Sequence, residues 1–274
     1  MMAKMKFAAL AGIAAVALGA GAAQAEEAAP KEFTVTGTTG LVSDYRFRGV
    51  SQSNKGMAVQ GGVNIAHKSG VYGGFWSSNL SGWGTFGGPN LELDLIAGYS
   101  KALGPITVDG GLTWYMYPGG SPTTDFAEPY IKVSGAAGPV NLLAGVAYAP
   151  KQKALGNFSN TSQSAGQAQD NLYLWGDANY PVPKLPVKLK AHLGYSKGNP
   201  GLGPNGTSVT PTGSYWDWSL GADLAVGRLT FGAAWVDTDI TTAKAAYLQP
   251  NFSSTKDGSS IAGSTVVFSV TAAF

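Results

Sequence analysis
The chain has 274 residues, only 12% of them charged, with 18 basic against 16 acidic side chains and no cysteine. No disulfide can form, and no basic stripe of the kind that follows a phosphate backbone is present, which argues against a nucleic-acid partner. Past the first twenty residues the sequence is rich in Gly, aromatic and small polar residues, with no apolar run near the ~20 residues a membrane helix needs, so an α-helical membrane protein is excluded.

Lys4 and Lys6 precede an apolar run from Phe7 to about Ala20 that is too short to span a bilayer, followed by small residues and Ala23-Gln24-Ala25. This pattern predicts an export signal over residues 1–25, cleaved after Ala25, with residues 26–274 forming a single domain. No cysteine follows the run, which excludes a lipoprotein anchor. Cleavage would remove two lysines and no acid, leaving the mature chain near neutral.

Alternation of apolar with small or polar residues, broken by Gly, Pro, Asn, Asp and Ser clusters, predicts twelve strands. In chain order they are 33–48, 56–67, 70–80, 90–101, 105–117, 126–136, 139–149, 171–181, 186–197, 215–226, 228–238 and 264–274. The connections alternate short and long throughout. Short ones fall at His67 to Gly70, Lys101 to Pro105, Ala136 to Pro139, Pro181 to Pro186 and Gly227. Longer ones fall at Gly49 to Lys55, Ser81 to Pro89, Pro118 to Asp125, Pro150 to Asp170, Gly198 to Ser214 and Thr238 to Gly263. An even strand number with tight turns on one side and long loops on the other is the plan of an all-β, antiparallel up-and-down transmembrane barrel with both termini periplasmic. The last strand places Val266, Phe268, Val270, Ala272 and Phe274 on one face, and is expected to close the barrel against the first strand near Phe33. Its terminal aromatic resembles the signal by which barrel-assembly machinery recognises its clients. These features predict a location in the outer membrane of a Gram-negative bacterium.

Aromatic rings favour the headgroup level, where the ring is half desolvated and its polar tip stays wet. Tyr45, Trp114, Tyr148, Tyr195, Trp216 and Trp235 are expected in a girdle beside the long loops, and Tyr72, Tyr99, Tyr180 and Phe274 in a second one at the opposite ends. The charges follow the other parity. Asp44, Arg46, Arg48, Glu92, Asp94, Asp109, Glu128, Lys132, Asp177, Lys188, Lys190, His192, Asp217, Asp223 and Arg228 are expected to line the lumen. A Lys or Arg facing lipid near the midplane would cost about 2 to 4 kcal/mol. Twelve strands ~4.8 Å apart and tilted ~40° give a Cα radius of about 12 Å, so side chains leave a bore of about 10 Å where they are small. The inner charges either act as a transverse field that selects solutes or neutralise one another in a packed interior.

The most specific local string runs Ser43-Asp44-Tyr45-Arg46-Phe47-Arg48-Gly49-Val50-Ser51-Gln52-Ser53. With the Thr36-Gly37 stretch before it and the strand after it, it resembles the TorF family of proteobacterial outer-membrane porins, most strongly over about Thr34 to Leu80. That resemblance implies a small outer-membrane barrel and brings no catalytic motif or substrate with it. Read from the residues, Asp44, Arg46 and Arg48 face inward from the first strand, with Tyr45 and Phe47 outside. The two arginines either pair with acids or hold a positive patch at the mouth.

No enzyme is expected. His67 falls in a short turn, and His192 lies beside Lys188 and Lys190 with no orienting acid evident in the sequence. No His and Cys spacing suits a metal, and no cofactor is implied. The expected function is passive passage of ions or small hydrophilic solutes through a charged lumen, with outer-membrane lipid, the barrel-assembly machinery and those solutes as partners. Monomer and oligomer are both open. The alternatives are a non-conducting barrel with a surface-recognition or structural role and, third, a barrel enzyme.

Overall fold
The computed structural model describes residues 32–85, 88–120, 123–156, 162, 167–201 and 208–274. The expected export signal lies outside these residues, as does part of the loop between Pro150 and Asp170. The strands are β1 (Phe33–Val42), β2 (Arg46–Phe47), β3 (Val50–Ser51), β4 (Ala58–His67), β5 (Val71–Asn79), β6 (Leu91–Leu103) and β7 (Ile106–Met116). They continue with β8 (Phe126–Ala137), β9 (Val140–Gln152), β10 (Gln169–Pro181), β11 (Val187–Gly198), β12 (Ser214–Val226), β13 (Leu229–Thr238) and β14 (Thr265–Ala273). Twelve of these pair antiparallel, each with its neighbours in sequence, into one closed barrel. The short β2 and β3 pair only with each other.

Turn chemistry sets the tight end. Gly104, Gly138 and Gly227 open two-residue turns with φ of 64°, 60° and 59°. Gly-Pro or Gly-Arg with positive φ only at the first position is the signature of a type II′ turn, whose twist matches that of the flanking strands. At the other end Pro129, which has no N–H, marks where β8 stops pairing with β9, the last pair being Tyr130 with Ala147. The Gln152 amide takes over there, accepting from Ala127 N–H at 2.7 Å and donating to Ala127 C=O at 2.8 Å.

Alternation then sorts the side chains. Leu95, Ile131, Leu142, Leu193, Leu220, Phe231 and Phe268 point out of the barrel and are all more than one-third exposed. Such a continuous apolar belt far exceeds what a water-soluble surface carries, and it matches the hydrocarbon-facing band of a membrane barrel. Charged side chains on the outer face fall near strand ends, as at Lys101, Asp170, Lys197 and Asp237.

Two expectations about β1 are corrected. The strand stops at Val42 and not at residue 48, because the chain turns into the lumen after Ser43. Closure against β14 begins not near Phe33 but at Gly37, where Gly37 and Phe274 exchange backbone hydrogen bonds of 2.8 and 3.0 Å; pairs then run from Thr38 with Ala273 to Val42 with Ser269. The Phe274 ring lies over Gly37, and a side chain at that position would have to displace it. Residues 33–36 pair only with β4.

Leu193→Arg, at the middle of β11 on the outer face, is expected to destabilise the barrel in lipid vesicles by about 2–4 kcal/mol, read from its denaturant midpoint. An unchanged midpoint would mean that this face does not meet lipid.

Candidate functional site
The lumen gathers most of the polar chemistry of the chain, and the segment 43–57 crosses it. Asp44 starts the inward course. Its carboxylate accepts from Arg46 Nε at 2.6 Å, from Ser51 Oγ at 2.5 Å and from Ser53 Oγ at 3.2 Å, so the chain folds back on one buried anion. Between β2 and β3, Arg48 and Gly49 both have positive φ, 49° and 78°, the geometry of a type I′ turn. That turn throws the Arg48 side chain across the barrel.

Arg48 lands on the far wall. One terminal nitrogen donates to both Glu128 carboxylate oxygens, at 2.8 and 2.7 Å, and the other to Asn171 Oδ1 at 2.8 Å. The guanidinium also sits 4.1 Å from the Tyr173 ring centroid and 4.7 Å from that of Phe47. Three hydrogen bonds and two ring contacts thus surround the buried cation, which needs such partners. Around the barrel, β8 and β10 flank the position diametrically opposite β1, so the hairpin and its Arg48 side chain together reach from the β1 wall to the opposite one.

The long-loop end is packed over this hairpin. Arg46 donates to the carbonyls of Gly49, Ile261 and Gly263. Asn54 and Thr255 exchange two hydrogen bonds, and Lys55 reaches Ser259 at 2.7 Å. Ser259 in turn donates twice to Asp257, which holds that carboxyl below its ordinary range. Trp83 meets Phe252 edge to face at 5.1 Å, and the space bounded by Phe47, Val50, Trp83, Val209 and Tyr215 has no room for a water molecule. Below the plug, Thr34, Thr36 and Asn141 face inward and are exposed at the short-turn rim.

The other inward charges form local groups. Lys132 pairs with Asp109 at 3.1 Å, and Asp109 also accepts from Tyr72, whose hydroxyl meets that of Tyr130. Lys190 and Lys188 flank Asp223 at 2.6 and 3.5 Å. His192 lies between Asp177, 2.7 Å from Nδ1, and Asp217, 3.1 Å from Nε2, with the Tyr173 hydroxyl at 2.9 Å. Glu92 and Asp94 are fully buried, and each keeps one carboxylate oxygen without a hydrogen-bond partner among the described residues.

Three expected site residues lie elsewhere. Tyr45 is no girdle residue: it is buried in the lumen with its ring against Trp76, because it belongs to the inward-folded segment. Tyr72 also points inward, since Val71 and Phe75 take the outer parity of β5. Arg228 sits in the exposed turn between β12 and β13 and lines no part of the lumen. Phe47, expected outside, packs inside against Tyr115. Trp114, Tyr148, Trp216 and Trp235 stand on the outer face near the long loops with Tyr195, which packs on Trp216; Tyr99, Tyr180 and Phe274 do so at the other end. The sequence reading missed the lumenal phenols Tyr115, Tyr130 and Tyr173, although they share the parity of Asp109, Glu128 and Asp177.

A family profile described as a bacterial protein of unknown function, Gcw_chp, matches residues 24–274. The chain belongs to the Gcw_chp family. No curated protein sequence matches it. Among solved structures, the Gcw_chp barrel is similar to the NanC porin, with a TM-score of 0.55 and 11% identity over 88% of this chain and 99% of that one. An outer membrane channel, COG4313 from Pseudomonas putida F1, aligns with a TM-score of 0.47 and 10% identity over 90% and 97%. The likeness to the NanC porin is one of fold: a Gcw_chp chain with its own lumen built on a porin-like barrel.

Removing the Arg48 side chain leaves Glu128 buried without its cation, a loss of about 3–5 kcal/mol for a buried pair. Arg48→Ala is expected to free the hairpin, so amide exchange at Arg46 to Ser51 accelerates by hydrogen-exchange mass spectrometry while β6 to β12 stay protected. Equal protection in the variant would show that Arg48 does not hold the segment.

Proposed function
We propose that this protein is a porin-like channel of the bacterial outer membrane, passing ions or small hydrophilic solutes. In this reading the long loops face outside, the termini face the periplasm, residues 1–25 direct export and the outer aromatic rings sit at the two lipid interfaces. The observation that carries it is the closed barrel with an apolar belt outside and a polar lumen inside. The TorF-like string at residues 43–53 fits it, since that string is the hairpin that narrows the bore. In the same reading Phe274, whose backbone is hydrogen-bonded to Gly37 at the seam, serves as the assembly signal.

A second reading draws on the packing around Arg48: a barrel whose lumen stays shut and whose loops recognise a surface or ligand. An enzymatic reading has little to stand on. His192 has a carboxylate at each ring nitrogen, which leaves none to take a proton from a substrate.

Planar-bilayer recording separates these readings. Wild type is expected to give discrete channel steps, and both Arg48→Ala and Glu128→Gln to raise single-channel conductance by loosening the hairpin. Neutralising Arg46 and Arg48 together should also shift ion selectivity toward cations. Stable insertion of wild type and variants without channel steps, with no solute uptake in liposome swelling, would reject the channel in favour of the closed barrel. Lipid or peptide turnover abolished by His192→Ala would revive the enzyme.

A further inference from the structure
The two ends of the barrel carry charge differently. At the long-loop end the outer face has both signs, Lys197 with Asp170 and Asp237, and the Asp170 carboxylate already accepts from the Tyr148 hydroxyl at 2.7 Å. At the short-turn end Lys68, Lys101, Lys184 and Arg228 are all exposed, and none of these four side chains makes a hydrogen bond or ion pair among the described residues. The acids of that end, among the same residues, are Glu32 just before β1 and the terminal carboxylate of Phe274 just after β14. Glu32 faces His67 at 3.5 Å, and neither acid pairs with the four cations.

Strand register gathers the four into two pairs. Ser100 N–H donates to Gly70 C=O at 2.9 Å, which sets Lys101 of β6 beside the Lys68-Ser69 turn between β4 and β5. Ala225 N–H donates to Pro186 C=O at 2.8 Å, which sets the turn at Lys184 beside the turn at Arg228. Exposed apolar side chains adjoin both pairs. Tyr99 and Leu103 stand on either side of Lys101 on the outer face of β6, and Leu185, Val226 and Leu229 lie at the second pair. An ammonium between two lipid-facing side chains can extend only to the headgroup layer. Turn chemistry, moreover, gives no reason for one of the four. Leu185 N–H donates to Val182 C=O across Pro183 and Lys184, and Lys184, with φ of 65°, holds the third position of a type II turn, where glycine sits without strain.

We propose that the short-turn rim binds anionic phospholipid of the phosphatidylglycerol class, with one headgroup phosphate at Lys68 and Lys101, a second at Lys184 and Arg228, and the acyl chains along the apolar face beside each pair. Two neighbouring cations without a carboxylate repel each other, and a phosphate between them replaces that repulsion with charge-assisted hydrogen bonds. A zwitterionic headgroup brings its own ammonium and offers less. The lipid also accounts for the lysine at a glycine position, since strain in that turn is offset when Lys184 meets a phosphate. The proposal rests on the membrane reading of the barrel and is independent of whether its lumen conducts.

The test uses the full barrel folded in detergent, with folding checked by heat-dependent gel mobility, and native mass spectrometry of bound lipid during titration with phosphatidylglycerol or phosphatidylcholine. Wild type is expected to retain phosphatidylglycerol at both pairs and to prefer it over phosphatidylcholine. Lys101→Gln should weaken one site and Arg228→Gln the other, each by about fivefold, the scale of one cation at an anionic surface. Lys197→Gln, at the opposite end, should change neither. Lys184→Gly should raise the denaturant midpoint while weakening the second site, a split that a purely structural lysine would not give. Equal retention of the two lipids, binding indifferent to the rim substitutions, or displacement of the lipid by glycerol phosphate, which lacks acyl chains, overturns the proposal. Insertion into vesicles of either lipid keeps the two readings apart: a barrel that inserts and ignores headgroup charge sinks only the rim sites. A barrel that inserts into neither kind of vesicle sinks the membrane reading and the rim sites with it.

Discussion
Strand alternation in a closed ladder is the constraint under which everything else in this molecule is arranged. Each side chain of the wall has two choices of face, and an apolar exterior forces the polar ones into one shared interior. Closure removes the edges along which β14 or β1 would otherwise pair with another chain. The same constraint leaves charged groups in a confined, poorly hydrated space, where they are costly unless they find partners. The ion pairs of the lumen follow from that pressure: Lys132 with Asp109, the two lysines with Asp223, His192 between two aspartates.

Arg48 turns this local pairing into a cross-brace. Its partners come from sequence positions 80 and 123 residues away, so one side chain ties the first loop to the opposite wall. A buried pair of this kind adds little net stability over an apolar contact, yet breaking it is costly. It therefore specifies a position more than it strengthens a fold: the hairpin has one place in the lumen, and the tyrosines and the loop from Asp239 to Ser264 pack around that place.

Most of the barrel was legible in the sequence, because two-fold alternation and turn residues are local signals. The strand from Ile106 to Met116 and its neighbours follow directly from them, and so does the inward parity of Glu92, Asp94 and Asp109. What could not be read locally was the end of β1. Asp44, Arg46 and Arg48 alternate with Tyr45 and Phe47 as a strand would, and only Asp44 gathering its hydroxyl partners, with Glu128 waiting far along the chain, takes the segment out of the wall. Tyr72 was placed by its closeness to a strand end when parity pointed inward. Arg228 was placed by carrying parity into a turn, where it no longer applies.

The seam where the chain meets itself has a mechanical consequence. β1 and β14 share five paired residues, from Thr38 with Ala273 to Val42 with Ser269, whereas β1 and β4 share ten. The seam joins segments more than two hundred residues apart, so it carries the largest loop-closure entropy and the fewest rungs to offset it. It is the natural zipper of the barrel, the last ladder to form and the first to part under lateral tension. The close seating of Phe274 on Gly37 is the clasp at its lower end.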